Sequence, residues 1–303
     1  MTEKLVVQFD QLPVYDSQLE YLVYCRGCNT YHMNDQKPCI KCGKDDLSVS
    51  LECIAIKTVK RHFLNGLGIL LILYAFMFIV SMSWRAIFLG TVYTMICVGL
   101  YGMIYLKYKK AYHKKELEKH IKYNRHKIEQ DLQKQWEACK KQISDGDYLG
   151  AYEKLRYLSQ IIDNEEIRVY KLICLNRFHL RKDLPLELKT VLLKDCNMLL
   201  IRYIYEVAKL KKELIDEATI NYILRYRQQV LTEEKGEEIV ASVLGGALRS
   251  KFLLNKYALA LKEYLPYLPK ERLLRLRKIQ DGVSDQALRE EIVSQIATLV
   301  GEE

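Results

Sequence analysis

Between residues 107 and 145 the sequence contains neither proline nor glycine. That absence excludes the common helix breakers and predicts one unbroken helix over the stretch. Residues 63–83 and 86–106 lack charge altogether, and each of these runs is 21 residues long. At about 1.5 Å rise per residue, a run of that length spans about 30 Å, the thickness of a bilayer core. An apolar leader is missing too. Residues 1–20 are polar and acidic, so no cleavable signal peptide is expected and the first apolar run is its own insertion signal. The motifs of catalysis are equally scarce. There is no H-E-x-x-H and no P-loop, since residues 245–251 (GGALRSK) lack the strand context and spacing that phosphate binding needs. The histidines at 32, 62, 113, 120, 126 and 179 pair with no Cys or Ser in a nucleophile motif. The expectation is a protein that is not an enzyme.

What is present is organised around the two apolar runs. They are separated only by Trp84 and Arg85, too short a link for a domain, so they predict a two-helix transmembrane hairpin over 63–106. Aromatic residues Phe63, Trp84, Tyr101 and Tyr105 lie near the run ends, where bilayer interfaces favour them. Lys57, Lys60 and Arg61 precede the first run, and Lys107, Lys109, Lys110, Lys114 and Lys115 follow the second. Arg85 stands alone in the turn. That bias predicts an integral membrane protein of the plasma or inner membrane with both termini cytoplasmic. The net charge of +9 is concentrated in residues 107–127. Lys107, Lys109, Lys110, Lys114 and Lys115 form a lipid-facing basic patch suited to anionic head groups.

Nine cysteines occur, and a cytosolic location argues against a disulfide framework. Four of them, Cys25, Cys28, Cys39 and Cys42, follow a C-x2-C-x10-C-x2-C spacing. Two such pairs can supply four thiolates to one tetrahedral ion. A strand is expected at 19–24 before the first pair and another at 47–56 after the second. Strand, knuckle, loop, knuckle, strand resembles a zinc ribbon of the rubredoxin-like kind over residues 19–57. The resemblance implies a structural Zn2+ held by Cys25, Cys28, Cys39 and Cys42. This sequence departs from the common pattern in lacking a glycine after Cys28. His32 is a substitute candidate ligand and Cys53 a fifth thiol. Residues 1–56 carry five basic and eight acidic residues, which argues against nucleic acid and for a cytosolic protein partner.

After the second run, Leu117, Ile121, Ile128, Leu132, Cys139 and Ile143 recur at alternating spacings of 4 and 7. This 11-residue repeat keeps the stripe on one face of a nearly straight helix. It serves either a coiled-coil stalk between chains, giving a homo-oligomer, or packing within the chain. Residues 131–303 read as α-helical throughout. Asp145, Gly146 and Asp147 make a turn between two helices, and residues 146–151 resemble the turn of a tetratricopeptide repeat. Further helices are expected at about 165–180, 186–212, 214–231, 237–264, 270–280 and 285–300, with Val191 to Leu210 as a central buried helix. Tyr203, Tyr205, Tyr222, Tyr226, Tyr257, Tyr264 and Tyr267 are candidate partner anchors or core residues. Glu233, Glu234, Glu237 and Glu238 read as a solvated helix start.

The expected architecture is a mainly α membrane protein. It has a ribbon and linker at 1–62, the hairpin at 63–106, a basic juxtamembrane stalk helix at 107–130 and a cytosolic helical domain, repeat-like or bundled, at 131–303. The expected function is a membrane-anchored adaptor or regulator. The competing readings are an effector that oligomerises through its hairpin to permeabilise the bilayer, and a tether that holds nucleic acid on the basic stalk.

Overall fold

The computed structural model describes residues 4–301, apart from 14, 16, 17, 35–38, 40, 45, 46, 81, 82 and 163. The chain forms two units, Pro13–Ala138 and Met1–Leu12 with Cys139–Glu303. Residues 4–12, which the sequence groups with the ribbon, therefore fold with the helices.

In the first unit a single 3-10 turn (Gln18–Tyr21) leads into a three-stranded antiparallel sheet. Its strands are β1 (Leu22–Cys25), β2 (Thr30–Met33) and β3 (Ser48–Ser50), in the order β2-β1-β3. Leu22 pairs with Met33, and Val23 with both His32 and Ser50. The strand expected at 47–56 is cut short, because helix α1 (Leu51–Val80) begins at residue 51. The reason is local. Ser50 Oγ accepts the Cys53 N–H and so caps the helix. Leu51, Ala55 and Val59 then recur every four residues and are buried together, a helical period rather than an alternating one.

Helix α2 (Trp84–Ser144) is unbroken for 61 residues, as the lack of Pro and Gly after 102 predicts. Trp84 and Arg85 are its first two residues and not the hairpin turn. Ser83 Oγ caps α2 by accepting the Ala86 N–H. Phe63 of α1 stacks on Tyr105 and Tyr101 of α2, with centroids 4.1 and 5.1 Å away. Tyr74 and Thr91 share a hydroxyl hydrogen bond between the two helices. Both helices are long and apolar enough to cross a membrane.

The stalk stripe is divided between the two units. Ile128 and Leu132 are buried in the first and Cys139 in the second. Packing within the chain buries these three, while Leu117, Ile121 and Ile143 are half-buried.

The second unit contains α3 (Tyr148–Ile161), α4 (Glu165–Arg177), α5 (Met198–Leu210), α6 (Glu217–Arg225), α7 (Arg227–Leu231), α8 (Gly236–Leu244), α9 (Lys251–Glu263), α10 (Lys270–Lys278) and α11 (Gln286–Val300). Gly146, at φ +90°, ends α2, and Asp147 caps α3 by accepting the Gly150 N–H. Three expected helices are broken, that at 214–231 by Tyr226, which separates α6 from α7. The 186–212 helix starts only at Met198, where Asn197 caps the N–H groups of Leu199 and Leu200. Before it, Leu184, Leu186 and Leu188 are buried in irregular chain and Val191 in a short 3-10 turn (Lys189–Val191). The 237–264 helix stops at Gly245, where a Cβ would lie 2.0 Å from the Arg272 guanidinium. Arg272 is buried, and it donates to the carbonyls of Ser242 and Ala208 at the C-terminal ends of α8 and α5. Those ends carry partial negative charge.

The N-terminal segment lies against α4 as an extended strap. The Leu5 N–H donates to Arg177 O at 2.8 Å and the His179 N–H to Leu5 O at 2.7 Å. Phe9 is buried against Tyr152 and Phe178. Of the seven tyrosines singled out in this unit, Tyr203, Tyr222, Tyr257 and Tyr264 are core residues, and Tyr267 is exposed.

Candidate metal centre

The β1–β2 turn carries the first cysteine pair, with Cys25 closing β1 and Cys28 in the turn. Gly27 packs closely there, since a Cβ would come within 2.7 Å of Leu47 Cδ1, whose side chain would have to shift. The glycine missing after Cys28 is replaced by Asn29. It takes the left-handed conformation at φ 56°, which Asn tolerates better than most residues. Its Oδ1 accepts the Tyr24 hydroxyl at 2.8 Å. Gly43 does the same for the second pair at φ +66°, with its N–H on Cys39 O at 2.8 Å.

The four sulfurs of Cys25, Cys28, Cys39 and Cys42 lie within 4.8 Å of one another. Cys25 and Cys42 are 3.5 Å apart and Cys28 and Cys39 3.6 Å apart. A tetrahedral ion about 2.3 Å from each sulfur requires sulfur–sulfur separations of about 3.8 Å. The donor set therefore fits a metal ion. Cys25 and Cys39 are buried, and Cys28 and Cys42 are half-buried. Burial acts to raise the Cys39 thiol, but hydrogen bonds from the backbone of Cys42 and Lys41 and from the Cys28 and Cys25 side chains together outweigh it and bring it down to about 6. Burial raises the Cys28 thiol, beside which the Thr30 hydroxyl lies at 2.9 Å.

Neither alternative ligand joins the cluster. His32 is 3% exposed, with Nδ1 3.0 Å from Met33 O and Nε2 3.1 Å from Ser48 Oγ. Its two nitrogens are thus engaged inside the sheet. Cys53 is exposed on α1.

Sequence reasoning missed what holds the centre in place. Strand β2 has an unpaired edge, and two side chains of α2 satisfy it. Asp131 accepts the Tyr31 N–H at 3.0 Å, and Gln135 Nε2 donates to Tyr31 O at 2.9 Å. The Tyr31 hydroxyl lies 3.1 Å from His120 Nε2. Burial, with Tyr24 and Asp131 adding to it, pushes the Tyr31 phenol up to about 12. The available signal was an acidic residue next to the apolar stripe, between Ile128 and Leu132.

The helical unit hides a second ionic group. Lys171 is fully buried and donates to Glu187 Oε2 at 2.8 Å, Thr190 Oγ1 at 3.0 Å and Ser159 Oγ at 3.2 Å. Arg156 bonds Glu187, Glu153 and the Asp10 carbonyl, tying the strap to the same network. Burial acts to raise the Glu187 carboxyl, but the Lys171 ammonium, the Thr190 hydroxyl and the Arg156 guanidinium together override it and hold the group below its ordinary value. Every donor of Lys171 has an acceptor, so the group reads as a structural tie. The basic residues Lys107, Lys109, Lys110, Lys114 and Lys115 all lie exposed on α2.

No protein-family model matches the chain, and neither a curated protein nor a solved structure is significantly similar to it.

Proposed function

We propose that the chain is a membrane-anchored adaptor or regulatory protein, whose ribbon holds structural Zn2+ and whose helical unit takes a cytosolic protein partner. The observation that carries this reading is the exposure of the hairpin. Ile72 is 70% exposed, Ile79 80% and Trp84 85%. Contiguous apolar surface on this scale needs a cover, and a bilayer is the cover that suits helices of this length. The aromatic cluster of Phe63, Tyr101 and Tyr105 stands where the charge-free runs meet the basic flanks, at the level of an interface belt.

The basic bias then orients both termini to the cytosol, with Lys107 to Lys115 against anionic head groups. A closed set of four thiolates leaves no coordination position for a substrate. Zinc suits it as a redox-inert ion that cross-links a sheet too small to fold on its own core.

The adaptor reading is favoured over a pore. The Tyr74–Thr91 pair is internal, and Thr91 and Thr94 donate to the carbonyls of Ile87 and Gly90 in their own helix. Polar groups engaged in this way do not line a water path. The test is alkaline carbonate extraction and flotation of the expressed protein. Retention in the membrane fraction is expected. Release into the supernatant as a folded, detergent-free protein would overturn the anchor.

A further inference from the structure

We propose that the groove between α4, α5 and the N-terminal strap is the partner site, and that it takes a short acidic peptide carrying an apolar anchor. The inference rests on the adaptor reading and names the class of its partner. The groove measures about 650 Å³ and lies wholly in the helical unit. Ile173 and Leu199 line it with apolar surface, beside Tyr205. Its charged lining is Lys4, Arg177, Arg202 and Lys209 against Glu206 alone, and Glu206 is paired with Lys4. Among the described residues, Arg177 and Lys209 have no carboxylate partner. Arg177 lies over the Tyr148 ring and Lys209 over the Tyr205 ring. Asn176 donates its amide to the carbonyls of Leu172 and Leu199, which leaves its side-chain oxygen to accept a peptide N–H.

A nucleic-acid strand suits the groove less well. The Lys209 ammonium covers one face of the Tyr205 ring at 3.7 Å, which takes that face from a stacking base. Glu233 and Glu238, bonded to Arg202 and Tyr205, would repel a polyanion that ran on past the groove. A few carboxylates flanking one apolar side chain match the charge and the floor together.

The test uses the full chain in detergent micelles and fluorescence anisotropy. The probes are a pool of short labelled peptides in which leucine is flanked by Asp and Glu, their lysine-substituted counterparts, and an oligo-dT of similar length. The acidic pool should bind, and the lysine pool should not. The double variant Arg177→Gln/Lys209→Gln should weaken binding about tenfold, and Arg177→Lys/Lys209→Arg should restore it. Lys270→Gln/Lys278→Gln, on α10, should leave it unchanged. The groove is refuted if the acidic pool fails to bind, if both Gln pairs behave alike, or if oligo-dT binds more tightly and displaces the peptides. Carbonate extraction of the same preparation keeps the two readings apart. Peptide binding by a protein that is not anchored would remove the membrane reading alone, and anchoring without peptide binding would remove the groove alone.

Discussion

Asp131 of the long helix accepts the backbone N–H of Tyr31 at 3.0 Å, and Gln135, one turn on, bonds the carbonyl of the same residue. An unpaired strand edge is a hazard for aggregation; here the edge is closed by side chains of a helix about a hundred residues away. The ribbon is thereby held on α2 at the level of Ile128, Asp131 and Leu132.

Replacing Asp131 by Ala leaves a buried N–H without an acceptor. The cost should be about 1–3 kcal/mol, read as a lower unfolding midpoint of the purified protein. Asp131→Asn keeps an acceptor and should lose less. Ile128→Lys should also destabilise the chain and leave its oligomeric state unaltered, because Ile128 is buried within its own unit. Dissociation of an oligomer with no loss of stability would restore the stripe as an intermolecular seam.

Metal analysis of the full chain should give about one Zn per chain, with Cys25→Ser and Cys39→Ser losing it together with the fold of the ribbon. His32→Ala and Cys53→Ser should keep the metal. Equal loss of metal in His32→Ala would show that the sheet hydrogen bonds of His32 are not its role.

Arg272 and Gly245 form a coupled pair. Arg272→Ala removes a buried cation that closes two helix ends, at a cost of about 2–3 kcal/mol. Gly245→Ala drives a Cβ into the same guanidinium and should cost about 1–3 kcal/mol by overpacking. The double variant should cost less than the sum, since the shortened side chain makes room for the new methyl. Strict additivity in thermal or denaturant unfolding would contradict the contact.

The pair of buried Lys171 and half-buried Glu187 sets a pH dependence. The Glu187 carboxyl sits below its ordinary value of 4.5 in the folded protein, so folding favours the ionised form. Its contribution is present above about pH 4.5 and is lost as pH falls through the folded value. Glu187→Gln should cost about 3–5 kcal/mol near neutral pH by leaving Lys171 without its counter-charge, and should flatten the acid limb of the stability profile. An unchanged acid limb would show that Glu187 is not the group responsible.

The parts of the fold that could be read in advance are those specified by local spacing. The cysteine pairs cluster as their C-x2-C spacing implies, and α2 runs unbroken where breakers are absent. The start of α1 was misread because residues 47–56 hold enough β-branched residues to suggest a strand, while the Ser50 cap and the four-residue period from Leu51 decide for a helix. The strap was illegible for another reason. Leu5 pairs alongside Phe178 through backbone hydrogen bonds to Arg177 and His179, over a separation that no periodicity spans. Glu187 and Lys171 belong to no motif, and only the packing of α4 against irregular chain reveals them. The cationic groove likewise draws Lys4, Arg177 and Lys209 from three separate segments.

The central claim is a hairpin anchor with both termini on the cytosolic side. Single cysteines placed in a cysteine-reduced background at positions 5, 85 and 299, and labelled in sealed vesicles by a membrane-impermeant maleimide, test it most directly. Cysteine at 85 should react from the outer side alone, and cysteines at 5 and 299 from the cytosolic side alone. Reaction of position 5 and position 299 from opposite sides, or of all three from the cytosolic side, would contradict the account.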